Sequence, residues 1–185
     1  MTTPNGSQTA AAATVYAGPA SFQLDPAAST VSITHKTIWG LVTVRGSFSK
    51  LSGSAEILPD GSGRGRIEID AASIDTKQRK RDEHLRSKDF FNAGEHPQIV
   101  VDLPTATRQG EDSVTTTGTL TAAGQSRPLT VTARITQATD QAITLTAEAD
   151  IDRTDFGMRW NQLGMITGKA HASVVARFVR SAAGQ

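Results

Sequence analysis

Four histidines, His35, His84, His96 and His171, are the side chains of this sequence best suited to metal binding or to proton transfer near neutral pH. No two of them stand four residues apart, as two zinc ligands on one helix face would, and no G-x-S-x-G nucleophile motif accompanies them. Structural hydrogen bonding is therefore the expected role of each, and no metal site is expected. Asp82 and His84 are near enough in sequence to be read as an acid–base pair, which would suit an enzyme acting on a lipid substrate. There is no Cys, so thiol nucleophiles, disulfide frameworks and zinc ribbons are excluded.

Charge concentrates in one place. Lys77, Arg79, Lys80, Arg81, Arg86 and Lys88 stand against Asp82, Glu83 and Asp89, six basic side chains to three acidic ones and a local net of +3. Such a cluster could attract a pyrophosphate head or an anionic membrane surface. As a nucleic-acid module, segment 77–88 would bind with steep salt dependence, but no aromatics are interleaved to stack bases. The plainer reading is preferred: Arg81, Asp82, Asp89 and Arg153 form internal salt bridges and the rest is a solvated helix face. Over the whole chain 19 basic residues nearly balance 18 acidic ones, so no large positive field exists and nucleic acid is not an expected partner.

The elements that must position these groups are mostly strands. Thr30 to Lys36 sets Val31, Ile33 and His35 on one side and Ser32, Thr34 and Lys36 on the other. Leu41 to Phe48 repeats the alternation, with Gly46 where a strand bends or is closely approached. The same period runs through 66–70, 98–103, 113–121, 127–136, 142–151 and 169–179, and with the short 22–25 makes about nine strand candidates. Turn chemistry separates them at PDGSG (59–63), RQGED (108–112) and AAGQS (122–126). One helix is expected, over Arg79 to Ser87, with Leu85 and Phe90 or Phe91 as its apolar anchors. An all-β domain with one helical insert follows, and periodicity alone leaves sandwich and barrel open.

The 185 residues suit one domain. Residues 1–21 are small, polar and broken by Pro and Gly, and read as a flexible leader; 22–180 form the domain, and 181–185 a frayed end. The longest apolar runs, such as Ala10 to Ala13, fall far short of the ~20 residues of a spanning helix, so no transmembrane segment is expected. Met1 to Ala20 holds no Lys or Arg, and without a basic n-region a cytoplasmic location is expected.

Four separated motifs carry a resemblance. RDEHLRSKDFF (81–91), the EHP turn (95–97), the hairpin GTLTAAGQSRPLTVTA (118–133) and RTDFGM (153–158) resemble the YceI family of lipid-binding proteins, in its order and spacing. The match runs from Phe22 to about Arg180. The opening Phe22-Gln23-Leu24-Asp25 is similar to the family's aromatic-x-Ile-Asp, and His35 matches the His of its next strand. After the EHP turn the family commonly has Phe where this chain has Val101. The resemblance implies an extended, lipocalin-like, eight-stranded antiparallel barrel around an apolar tunnel. Its expected content is a long-chain isoprenoid such as a polyprenyl phosphate, a polyprenyl pyrophosphate or a quinone precursor, sequestered or carried without catalysis or a cofactor. Many relatives are secreted or periplasmic. Relatives are also often dimers, which puts a homodimer among the expectations, although no apolar stripe marks an interface.

The strands favour a tunnel over a filled core, being rich in Ala, Val, Thr and Gly and poor in aromatics. Its expected wall comprises Val42, Val44, Phe48, Ile67, Ile69, Phe90, Phe91 and Ile99, continuing through Val101, Leu120, Leu129, Val131, Leu145 and Ala147. Trp39, Arg81, His84, Phe156, Met158, Trp160 and Met165 are the candidates for the rim and for headgroup contacts. Burial of each CH₂ is worth about 0.8 kcal/mol, so apolar area alone suffices to hold a long chain, and membrane contact need only be transient.

Overall fold

The computed structural model describes residues 19–38, 40–161, 164 and 166–181. Most of the expected leader, Trp39, Met165 and the last four residues lie outside the described residues. The strands are β1 (Ala20–Leu24), β2 (Thr30–Thr37), β3 (Val42–Phe48), β4 (Leu51–Ile57), β5 (Gly63–Asp70) and β6 (Ile74–Asp75). After helix α1 (Arg79–Arg86) come β7 (Gln98–Gln109), β8 (Ser113–Ala122), β9 (Gln125–Ala138), β10 (Ala142–Asp152) and β11 (Ile166–Arg180). All nine expected strands are present. Two were missed: the two-residue β6, and β4, whose Ser52-Gly53-Ser54 centre is weak strand text even though Leu51, Gly53, Ala55 and Ile57 alternate. β1 pairs from Ala20 onward, Ala20 and Ser21 lying opposite Ile57 and Glu56, and the Ser181 N–H donates to Ser21 O.

Register turns eleven strands into eight walls. β1 and β2 lie end to end along one edge of β11, pairing Phe22 with Arg180 and Thr30 with Val175. β3 and β4 lie end to end beside them, and β5 and β6 beside those. β7 to β11 follow as single long strands, each antiparallel to its neighbour. Because β11 pairs back onto β1 and β2, the sheet closes into an eight-walled up-and-down barrel, and the sandwich alternative falls. One end of the barrel carries the β2–β3 hairpin, α1, the β8–β9 turn and the β10–β11 connection; the opposite end carries the chain termini of the barrel and the β4–β5, β7–β8 and β9–β10 turns.

The α1 end is closed by local chemistry. Asp82 is buried in the first turn of α1, and its carboxylate accepts from the Thr76 N–H (2.9 Å) and hydroxyl (2.5 Å). Arg81 donates to the Thr76 hydroxyl and carbonyl at 2.7 Å each, and Arg86 donates to Ile74 O at 2.7 Å. These bonds tie α1 to the stretch that carries the fully buried Ile74. Gly46 makes room for it: a Cβ there would lie 2.9 Å from Thr76 Cγ2 and 3.0 Å from Ile74 Cδ1. Ala123 and Gly124 both have positive φ, 48° and 74°, the conformation of a tight hairpin turn, and the His96 ring lies against Gly124.

Buried apolar residues form two clusters. One, at the α1 end, includes Val31, Phe48, Ile69, Ile74, Ile99, Phe156 and Met158; the other contains Phe22, Leu24, Ala176 and Phe178. Between them the barrel is hollow.

Candidate functional site: an apolar tunnel

Period-2 alternation sends every second side chain of each wall inward. On β10 these are Ile143, Leu145, Ala147, Ala149 and Ile151, and on β11 Ala170, Ala172, Val174, Ala176 and Phe178. Together with the other walls they enclose a cavity of about 440 Å³. Small Ala and Val side chains stand side by side on the neighbouring strands β10 and β11, as in the pairs Ala147–Val174 and Ala149–Ala172, so this part of the wall projects little into the interior.

Of the expected wall, Phe48, Ile67, Ile69, Phe91, Ile99, Val101, Leu120, Leu129, Val131, Leu145 and Ala147 line this cavity. Three expected residues do not. Val42 and Val44 share the inward parity of Gly46 and Phe48, but they sit toward the tip of the β2–β3 hairpin, past the level at which the barrel is closed. Val42 is 42% exposed and the adjacent Leu41 82%. Phe90 turns away from Phe91: Phe91 meets Phe48 edge-on at 5.7 Å between centroids, whereas Phe90 lies against His84 and Trp160. Sequence reasoning missed Val31, Ile33, Leu103, Val114, Ala133 and Ile151, among others, although Val31 and Ile33 share one side of β2 and the rest share the parity of Val101, Leu120, Val131 and Ala147 on their own strands.

The expected rim splits into an inner plug and an outer collar. Phe156 and Met158 are buried and line the cavity. Trp160 lies outside them in an aromatic collar, its ring 4.5 Å from His84 and 5.8 Å from Phe90 between centroids. His84 spends its Nε2 on Asp89 Oδ2 at 3.0 Å, and Arg81 is turned to Thr76, so neither reaches the tunnel. Asp82 and His84 form no acid–base pair: two positions on a helix point their side chains to different sides, and Asp82 is buried against Thr76. The expected internal salt bridges of Arg81, Asp82 and Arg153 are replaced by hydrogen bonds to Thr76 and to backbone carbonyls, while Asp89 pairs with His84.

The remaining histidines divide by face. His171 bonds Asp150 at 2.9 Å on the outer surface, across β10 and β11, and His96 covers Gly124. His35 has the inward parity of Val31 and Ile33 and pairs with Ala170, a wall residue. Burial and, secondarily, the charge of Arg153 hold its pKa below the ordinary 6.5, against a hydrogen bond to the Lys169 backbone that raises it. Among the described residues no group of three or more His, Asp or Glu is placed to share a metal ion. The tunnel can therefore hold an apolar chain; Arg153 is the charged side chain lining its α1 end, while Glu56, Arg64, Arg66 and Arg108 line it toward the opposite end, where Arg64 pairs with Glu56 and Arg66 with Glu68.

Comparison with known proteins agrees with this architecture. Burkholderia cenocepacia BcnA superposes with a TM-score of 0.75 at 23% identity, covering 83% of this chain and 98% of that one. A polyisoprenoid binding domain from Saccharophagus degradans gives 0.71 at 18% identity over 86% and 98%, and a Campylobacter jejuni YCEI protein gives 0.70 at 22% over 77% and 88%. At these identities the likeness is one of fold. Among curated sequences, a UPF0312 protein of Pseudomonas paraeruginosa is 37% identical over 70 residues, which is 38% of this chain and 36% of that one. A UPF0312 protein of Yersinia enterocolitica is 32% identical over 93 residues, 49% of this chain and 48% of the relative. The matched stretch thus spans between about a third and a half of these curated relatives. The model of the YceI-like domain, by contrast, matches residues 22–178, essentially the whole barrel, and the chain belongs to that family.

Proposed function

We propose that this chain is a non-enzymatic binding protein that sequesters or carries one long-chain isoprenoid lipid, such as a polyprenyl phosphate or an isoprenoid quinone precursor, inside its barrel. The cavity of about 440 Å³ walled by Ala, Val, Leu and Ile carries this reading. Its volume falls in the range of small-molecule sites, about 300–1,000 Å³, and each buried methylene contributes about 0.8 kcal/mol to retention. That a solved protein of the same fold is described as a polyisoprenoid binding domain supports the choice of ligand class. Loading from a bilayer by transient contact belongs to the same reading. Catalysis does not, since Asp82 and His84 are committed to separate structural bonds.

Native mass spectrometry of protein purified from its own host tests the proposal. A co-purifying lipid mass, or uptake of an added polyprenol at one per barrel, is the expected result. Protein that carries no lipid and takes up no polyprenol would overturn it.

A further inference from the structure

Arg153 interrupts the hydrocarbon wall. It lines the cavity at the α1 end and is 8% exposed. A guanidinium stays protonated in proteins, and a buried charge is ordinarily paired. Here, among the described residues, no carboxylate pairs with it. Its NH1 donates to two neutral acceptors, the carbonyls of Met158 and Trp160, and its Nε–H is buried with no acceptor. The adjacent Asp152 directs its carboxylate at the Thr154 N–H and hydroxyl, at 2.9 and 2.6 Å.

A second orphan lies at the same level of the barrel. Ala170 pairs with His35 on one side and with Ile151, two residues before Arg153, on the other. Among the described residues the buried His35 Nε2 has no partner, while the ring bonds the Lys169 backbone beside the register shift between β2 and β11. With Nδ1–H donating to that carbonyl, the neutral ring presents Nε2 as a lone pair. The α1 end of the tunnel thus offers a cationic N–H donor in its lining and, on the strand position beside wall residue Ala170, an acceptor of inward parity, both atoms buried. Left empty of polar atoms, each is costly.

We propose that Arg153 and His35 form the seat for the head of the bound amphiphile, a phosphate-monoester monoanion whose P–O⁻ accepts from Arg153 Nε–H and whose P–OH donates to His35 Nε2. The tail then runs along the apolar walls toward the end of the barrel that carries the chain termini. This rests on the lipid-tunnel reading above, and goes beyond it by assigning the head chemistry, its residues and the orientation of the ligand.

Equilibrium binding of geranylgeranyl monophosphate, with squalene as the headless isoprenoid control, tests the seat. The wild type is expected to prefer the phosphate, and Arg153→Met to lower phosphate affinity by about tenfold or more while squalene, which meets a thioether in place of a buried charge, binds at least as tightly as before. Retained squalene binding also reports that the variant is folded. Phosphate affinity unchanged in Arg153→Met overturns the seat but leaves the tunnel standing; a wild type that binds neither probe overturns both. Should Arg153→Met fail to fold, photo-crosslinking on the wild type decides: a diazirine next to the phosphate is expected to label Phe156 or Met158, and one at the far end of the tail Gly61 to Gly65. The reverse pattern overturns the assignment.

Discussion

Asp82, His84, Arg81 and Arg153 were all visible in the sequence as charged or titratable residues, and the structure gives each a different task. Asp82 and Arg81 close the loop around Thr76, His84 joins an aromatic collar, and only Arg153 turns toward the tunnel. Nothing in residue type separates these four. What separates them is which neighbour each side chain finds after folding, and that depends on helix phase and on contacts distant in sequence. His35 shows the same dependence and carries a testable consequence. Its folded pKa lies below the ordinary 6.5, so the folded state resists a proton that the unfolded chain accepts. Stability is therefore intact above about pH 6.5 and declines as pH falls from there toward the lowered folded value. Urea denaturation across pH 7.5 to 5 is expected to show this decline in the wild type and a flatter profile in His35→Gln; equal slopes would show that another group is responsible.

At the scale of elements, turns and strand faces were legible because their causes are local. AAGQS has the composition of a turn, and it forms the β8–β9 hairpin with Ala123 and Gly124 at positive φ. Gly61 and Gly124 separate two costs of replacing a turn glycine. Both have positive φ, 80° and 74°, but a Cβ on Gly61 meets nothing within 4 Å, whereas one on Gly124 would lie 2.6 Å from the His96 ring. Gly61→Ala is expected to cost about 1 kcal/mol from backbone conformation alone, and Gly124→Ala distinctly more, as measured by chemical denaturation. Equal losses would mean that His96 moves aside freely. Strand depth was not legible. Val42 and Val44 have the correct parity yet lie beyond the closed end, because alternation fixes which face a side chain takes and carries no information about how far along the wall the cavity extends.

For the molecule as a whole, hollowness is the property with functional consequences, and it can be tested by filling it. Ala147 stands beside Val174 of the neighbouring strand and lines the cavity. Ala147→Trp places a large ring in space that is already open, so overpacking, which typically costs 1–3 kcal/mol in a filled core, is expected to be slight. Lipid carried through purification should fall well below one per barrel while thermal stability changes little, as native mass spectrometry and a melting curve would show. A large loss of stability with lipid retained would mean that the site is packed. The sequence by itself determined the strand text, the helical insert, the turns, most of the inward residues and, through its motifs, the family. Only the tertiary structure decided that β11 returns to β1 and β2, that the two clusters leave a tunnel between them, and that Arg153 reaches it with no carboxylate paired to it among the described residues. Alternation and turn chemistry are set by neighbours a few residues apart, whereas closure, empty volume and the pairing of a buried charge are sums over residues brought together from the whole chain.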